Sequence, residues 1–398
     1  MKFQTQRITC NQRVTGSTAF SSWSDGKLGK FRINEDWFDG VTGMYLEVYW
    51  SSAVDSVVDT NYATVKFYDE TNAADVTGSE INDLQNSLHT SKSSNFKSYF
   101  SGKGEVVLHA ELATIMTILD VRRIVFSVEH NGTVTKTVVW KNIHGNESNP
   151  RTSYAVLVNR EPILFTSGNW DGTLSTALEA TLQKSGTATS AEARIYDGTT
   201  GQGEVSTGFS FPDFQYGEVT LANGAEYEIQ MKYSGAIKQG MILRNAAIAF
   251  FCNPIGKKFE LHFPMLAYNA PHASPTDTWL QRGYGWSFNP AKFGDCTRAH
   301  YYEECAYNAG FITTVTQSVL TSGGTQTSNI LSYTALQTQA VRQRTASFAE
   351  PASSVIDFQT YVNAGAYHAG GTTRHIILIT SATNPVTSHL LAILGCGT

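Results

Sequence analysis

Residues 63–80 read ATVKFYDETNAADVTGSE, and residues 191–208 read AEARIYDGTTGQGEVSTG. Each stretch alternates apolar and polar residues, reaches a Tyr-Asp pair, crosses a polar turn and resumes at a valine. Tyr68 and Asp69 fall on Tyr196 and Asp197. Alternation with period two is the signature of a strand with one buried face. Its recurrence after a long interval points to internal repetition, which takes precedence over any short motif.

Two further landmarks extend the repeat. YLEVYW from Tyr45, ALEATLQ from Ala177 and YYEECAY from Tyr301 align with Glu47, Glu179 and Glu303 in register. Trp37-Phe38-Asp39-Gly40 and Trp170-Asp171-Gly172 stand ahead of the first two, while Trp286 lies further from the third. Residues 125–143, 228–248 and 358–378 each read as strand, turn and strand. Gly132, Gly235 and Gly365 are placed at one turn, and Lys141, Arg244 and Arg374 at one strand start. Glycine supplies the positive φ that a tight turn demands.

The expected fold is therefore all-β: three tandem antiparallel β-sandwich or jelly-roll units spanning 1–148, 149–285 and 286–398. The first carries a small helical insertion, because Ile81, Leu84 and Leu88 near 81–100 have helical spacing. Residues 110–119, AELATIMTIL, fit a helix or a buried strand equally well. Composition agrees with a turn-rich β protein. Charged residues make up 16% of the 398, well under the roughly 25% of an average domain, and Ser, Thr and Gly fill the difference.

A net charge of −5 with scattered basic residues gives no field for nucleic acid. No apolar run approaches the length of a membrane-spanning helix. The opening MKFQTQRITC lacks a hydrophobic signal region, so the expectation is synthesis in a cytoplasm without export by that route. Cys10, Cys252, Cys296, Cys305 and Cys396 are odd in number and widely spaced, which suits free, buried thiols better than a disulfide framework.

Chemistry is sparse. No nucleophile elbow, HExxH, phosphate loop or dinucleotide fingerprint occurs. Glu303 and Glu304 are neighbours on one expected strand, so they point to opposite faces and cannot act as a local carboxylate pair. Once-per-unit recurrence gives Glu47, Glu179 and Glu303 a structural reading. Cys296, His300, Cys305 and Glu303 lack the tight pairs of a structural zinc site, so no metal and no cofactor is expected. His368 and His375 flank a glycine turn and read as exposed or hydrogen-bonded. The clearest hint of binding is Trp279, Arg282, Tyr284 and Trp286, crowded into a Gly/Pro-rich connection. Such rings stack on sugars in shallow sites, or pack an interface between units. Trp37 and Trp170, being repeated, read as hydrophobic plugs.

EARIYDGTTGQGEVSTGF followed by EYEIQMKYSGAIKQGMILRNAAI resembles β-sandwich modules in structural proteins of tailed bacteriophages. There a strand ending in a Tyr- or Asp-like turn precedes a Val-x-Gly strand, and a Tyr-x-Ile/Val-Gln strand follows. The run FELHFPMLAYNAPHASPTDTW with the later CTR is similar to the close of a carbohydrate-module-like jelly roll. Pro264-Met265-Leu266 stands for its "PQLE" strand and Thr297-Arg298 for its end. The resemblance implies a non-enzymatic virion protein: a capsid decoration, head fibre, tail fibre or spike. Its partners would be other virion proteins, further copies of itself (a trimer by analogy) and a host-surface glycan, with neither nucleic acid nor membrane. It transfers no catalytic residue. A polysaccharide depolymerase and a secreted adhesin are the alternatives.

Overall fold

In a computed structural model the described residues are 2–10, 14–16, 28–54, 63–83, 85, 87, 89–113, 117–143, 147–156, 163–165, 167, 170, 175–236 and 240–253, together with the strands between 260 and 397 given below. By its contacts the chain divides into two compact units, Met1–Lys257 and Lys258–Thr398. The protein is all-β, and among the described residues its paired strands are antiparallel except Ala267–Tyr268 with Cys396–Gly397.

One strand order recurs. In the first unit, Lys2–Cys10, Thr117–Asn131, Val41–Val54 and His89–Lys92 form a sheet in that order. Beside it, Lys30–Asn34, Glu105–Ala113, Ala63–Asp69 and Ala74–Asp75 form another. Counted along the chain, the first sheet takes the first, eighth, third and sixth of eight strands, and the second sheet the other four. That is a jelly roll. Thr137–Ile143, Gly240–Cys252, Ser175–Ser185 and Asp213–Val219 repeat the first sheet's order. Ala155–Val156, Glu226–Ser234, Ser190–Tyr196 and Gly201–Thr207 repeat the second's. In the unit Lys258–Thr398 the order returns as Glu260–Pro264, Gly371–Ser381, Cys296–Tyr307 and Val341–Arg344, with Leu280–Gln281, Ser354–Val362, Thr316–Ser322 and Thr325–Gln326 in the other sheet.

Strand equivalence supports two of the sequence landmarks and corrects the third. Ala63–Asp69 and Ser190–Tyr196 are both fourth strands, and the glutamate strands Val41–Val54, Ser175–Ser185 and Cys296–Tyr307 are all third strands. The expected hairpin at 125–143 is different. Thr117–Asn131 is an eighth strand, whereas Thr137–Ile143 is the first strand of the next sheet, paired with Gly240–Cys252. Gly132 and Gly235 do both have positive φ, at 87° and 138°, yet they occupy non-equivalent turns. For the same reason Lys141 and Arg244 are not counterparts. Pairing thus joins 137–143 and 147–149 to the second sandwich, ahead of the expected boundary at 148. Glu260–Pro264 likewise pairs with Gly371–Ser381, so it opens the last jelly-roll order instead of closing the one before.

The expected helical insertion is also corrected. Ile81–Asp83 is a short strand with alternating burial, and His89–Lys92 is an edge strand. Ile81 lies opposite Val65, so period two prevails over the apparent helical spacing; Leu84 and Leu88 lie outside the described residues. Among the described residues there, the one helical element is the 3-10 turn Lys97–Phe100. Residues 110–113 and 117–119 belong to two strands, while 114–116 lie outside the described residues.

The first sandwich closes on Phe31, Leu46, Trp50, Phe67, Phe100, Leu108 and Phe126, all fully buried. This core continues into Val138, Trp140, Ala247 and Ala249 of the second sandwich. Small alanines on Gly240–Cys252 let the first sandwich approach closely, and a Cβ on Gly29 (φ +95°) would collide with Asn245. The contact side of the first sandwich consists of its two edge strands, Lys2–Cys10 and Lys30–Asn34. Their outward backbone groups find partners in side chains of the second. Ile8 N donates to Asn142 Oδ1 at 2.8 Å, and Asn245 Nδ2 donates to Ile8 O at 2.9 Å. Lys30 N donates to Thr181 Oγ1 at 2.7 Å, and that hydroxyl donates back to Lys30 O at 3.1 Å. An unpaired edge is a site of indiscriminate strand addition, and this docking closes it.

At the centre lies a buried ion cluster. Glu179, on the outer face of the second sandwich, receives Arg32 Nε at 3.1 Å and faces Arg7 Nε at 3.6 Å, with both Arg7 and Glu179 wholly inaccessible. Burial pulls the Arg7 guanidinium down to about 10 against the opposing pull of Glu179. Burial pushes the Glu179 carboxyl upward, and the two arginines oppose it. The cluster is costly to assemble and costlier to break. Replacing Glu179 by Gln leaves the Arg7 guanidinium buried without the carboxylate opposite it and Arg32 with Glu105 alone, and a loss of about 3–5 kcal/mol is expected in urea unfolding. A change below about 1 kcal/mol contradicts this role.

The connection between the sandwiches is tied by Asp39. Its carboxylate accepts from Thr135 N at 2.7 Å, from Thr135 Oγ1 and from Lys136 N at 3.3 Å. His130, stacked on Phe3 at 4.5 Å, lies between Asp39 O (3.0 Å from Nδ1) and Thr137 Oγ1 (3.1 Å from Nε2). A carbonyl can only accept, so Nδ1 carries the proton and Nε2 accepts from the hydroxyl; a neutral ring satisfies both. Burial lowers His130 to about 4. Since the unfolded value is near 6.5, the neutral ring contributes stability above pH 6.5 that is lost as pH falls towards 4, about 3 kcal/mol in all. Unfolding measured at pH 7.5 and 4.5 is expected to show a smaller acid loss in His130→Gln than in the parent chain.

Candidate functional site

Docking of the two sandwiches leaves an open cleft of about 1040 Å³ along one side of the junction. Three separate segments build it. Lys30–Asn34 supplies Arg32, the following 3-10 turn Glu35–Trp37 supplies Trp37, and the edge strand Asp213–Val219 supplies Tyr216 and Glu218. Glu105 begins the strand beside Arg32, and Phe251 and Trp170 complete the apolar wall.

Register explains why these side chains converge. Glu179 lies opposite both Tyr216 and Ala247 in the ladder, so all three share the face that meets the first sandwich. Tyr216 sits at the sheet edge and extends that face into solvent, with 52% of its surface exposed. The Arg32 guanidinium lies 3.7 Å from the Tyr216 ring centre and 5.0 Å from that of Trp37. Such cation–π contacts strengthen where the cation is desolvated, and Arg32 is only 7% exposed. Trp37 meets Phe251 edge-on at 5.1 Å. The 3-10 turn that presents Trp37 is held by its own cap: Asp36 N donates to Asn34 Oδ1 at 2.9 Å. The result is an aromatic platform fixed from beneath by one cation, whose own position is set by Glu179.

Of the residues expected to bind, Trp279, Arg282 and Tyr284 lie outside the described residues. Trp286 starts the strand Trp286–Phe288 opposite Ile356, and its side chain is outside the described set too. Trp170 is a plug, as the sequence suggests: it is 7% exposed and stacks flat on Phe250 at 4.6 Å. Trp37 is only half-buried and lines the cleft, so it is more than a plug. Tyr216, Arg32 and Phe251 carry no signal in the sequence beyond ordinary strand alternation.

Two of the repeated glutamates have structural surroundings. Glu47 accepts from Gln4 Nε2 at 2.8 Å and from Ser127 Oγ at 3.0 Å, and Glu179 sits in the ion cluster. Glu303 lies opposite Gln343 and His375 in its sheet. Cys296, His300, Glu303 and Cys305 share the strand Cys296–Tyr307, and their side chains lie outside the described set. Among the described residues no group of three or more His, Cys, Asp or Glu is placed to hold a metal. Cys252 is buried, and desolvation pushes its thiol up to about 12, which leaves it unreactive.

No known family profile matches this chain, and no curated protein matches it. Among solved structures, dimeric latent PorU from Porphyromonas gingivalis aligns over 93% of this chain and 33% of its own length, at 8% identity and a TM-score of 0.21. This chain therefore spans about a third of that protein, and a likeness so slight carries no structural argument.

Proposed function

We propose that the protein is a non-enzymatic structural component of a tailed-phage virion, a decoration protein, head fibre or tail fibre/spike, built of tandem jelly-roll units that display a glycan-binding cleft. The observation that carries the binding half is the Tyr216 ring, half exposed above Arg32 in a cleft of about 1040 Å³. Rigid aromatic faces ringed by a few oriented polar groups suit the apolar faces and hydroxyls of pyranose rings. The virion half rests on the sequence resemblance and on the recurrence of one strand order along the chain. Other virion proteins and copies of the same chain are its proposed neighbours, with a trimer the assembly suggested by analogy.

A second reading has one observation in its favour. Glu105 and Glu218 line the same cleft, and two carboxylates facing a glycosidic bond are the equipment of a glycan hydrolase. Incubating the protein with bacterial surface polysaccharide separates the two readings. Binding without new reducing ends is the expected result, and turnover abolished by Glu105→Gln or Glu218→Gln overturns the non-enzymatic reading.

Truncating the platform gives a direct check. Tyr216→Ala removes an exposed edge-strand ring and is expected to weaken glycan binding about tenfold, the equivalent of roughly 1.4 kcal/mol, with the fold unchanged by circular dichroism. Undiminished binding places the glycan site elsewhere.

A further inference from the structure

We infer that the junction cleft is selective for uncharged glycans, those of neutral hexoses and N-acetylhexosamines, and excludes polymers of uronic or sialic acids. This deepens the glycan-binding reading above and rests on it. Charge at the cleft sets this preference. Among the described residues lining the cleft, Arg32 is the single cation, against two carboxylates, Glu105 and Glu218. Recognition of a sugar carboxylate calls for an arginine fork with donors to spare. Arg32 has committed Nε to Glu179 at 3.1 Å and Nη1 to Glu105 at 3.4 Å, while its plane lies against Tyr216 at 3.7 Å. Only 7% of the residue is exposed. It anchors the platform, and with Glu179 and Glu105 already set against its charge it offers a sugar carboxylate little net attraction.

The two carboxylates point the other way. The Glu105 side chain is 42% exposed, and Glu218 is exposed on the edge strand two residues beyond Tyr216. Residues two apart on a strand share a face, so Glu218 stands beside the ring on which a sugar would stack. An anionic sugar there meets like charge with no second cation among the described lining residues to offset it. The remaining polar lining is hydroxylic, from Ser167, Ser175, Thr176 and Thr220. Hydroxyls donate and accept, which matches neutral sugar hydroxyls and N-acetyl groups.

The test uses the full-length chain and two sets of soluble polymers: dextran, galactomannan and chitooligosaccharides as neutral probes, and alginate, polygalacturonate and polysialic acid as anionic ones. Affinities are measured by titration calorimetry at 50 and 300 mM salt. The expected result is binding to at least one neutral probe, more than tenfold tighter than to any anionic probe and insensitive to salt. Glu218→Lys is expected to raise the anionic-to-neutral affinity ratio at least tenfold, with the fold checked by circular dichroism. Preference of the parent chain for an anionic probe, or an unchanged ratio in Glu218→Lys, overturns the selectivity while leaving glycan binding intact. Binding to neither set overturns the glycan reading itself.

Discussion

The structure of residues 1–257 depends on how the first sandwich hides its edges. A jelly roll has strands whose outer backbone groups point at nothing, and such groups need partners when water is excluded. In this protein Asn142, Thr181 and Asn245 of the second sandwich supply those partners to Ile8 and Lys30. Side chains thus do what an added strand does elsewhere, without extending the sheet. Because the partners lie on an otherwise ordinary outer face, that face is committed to docking, and alanines at 247 and 249 make it shallow enough for close approach.

The ion cluster follows from the same geometry. Once the edge strands are pressed against the second sandwich, Arg7 has no route to solvent and Arg32 only a narrow one at the cleft, so a carboxylate between them is needed. Glu179 occupies that place. Holding Arg32 also fixes the ring above it, since the guanidinium lies between Glu179 below and Tyr216 at the cleft. Stability and site geometry are therefore coupled through one side chain. The cleft exists only while the sandwiches are docked, because its wall comes from both of them.

Much of the fold was legible in the sequence because alternation survives divergence. The Tyr-Asp stretches at 63–80 and 191–208 occupy equivalent strands, and the glutamates at 47, 179 and 303 all fall on third strands. The hairpin at 125–143 misled for a physical reason. A short glycine turn joins one sandwich to the next just as it joins two strands within a sandwich, and local sequence cannot tell the two apart. The helical spacing read from Ile81 misled because Ile81 belongs to a short strand, Ile81–Asp83, too brief for its period of two to stand out in the sequence. The cleft was illegible for a different reason. Arg32 in KFRIN reads as a solvent-facing charge until a partner covers it, and Tyr216 in DFQYGEV looks like any outward ring. Their meeting is a product of docking between segments far apart in the chain.

The central claim is that the first two sandwiches stand or fall as one body. Native-state hydrogen exchange of the full chain in rising urea tests it most directly, read at the amides of Leu46 and Phe126 in the first sandwich and Leu178 and Phe250 in the second. The account predicts that all four open with one free energy and one urea dependence. Opening of Leu46 and Phe126 at lower urea, while Leu178 and Phe250 stay protected, would contradict it.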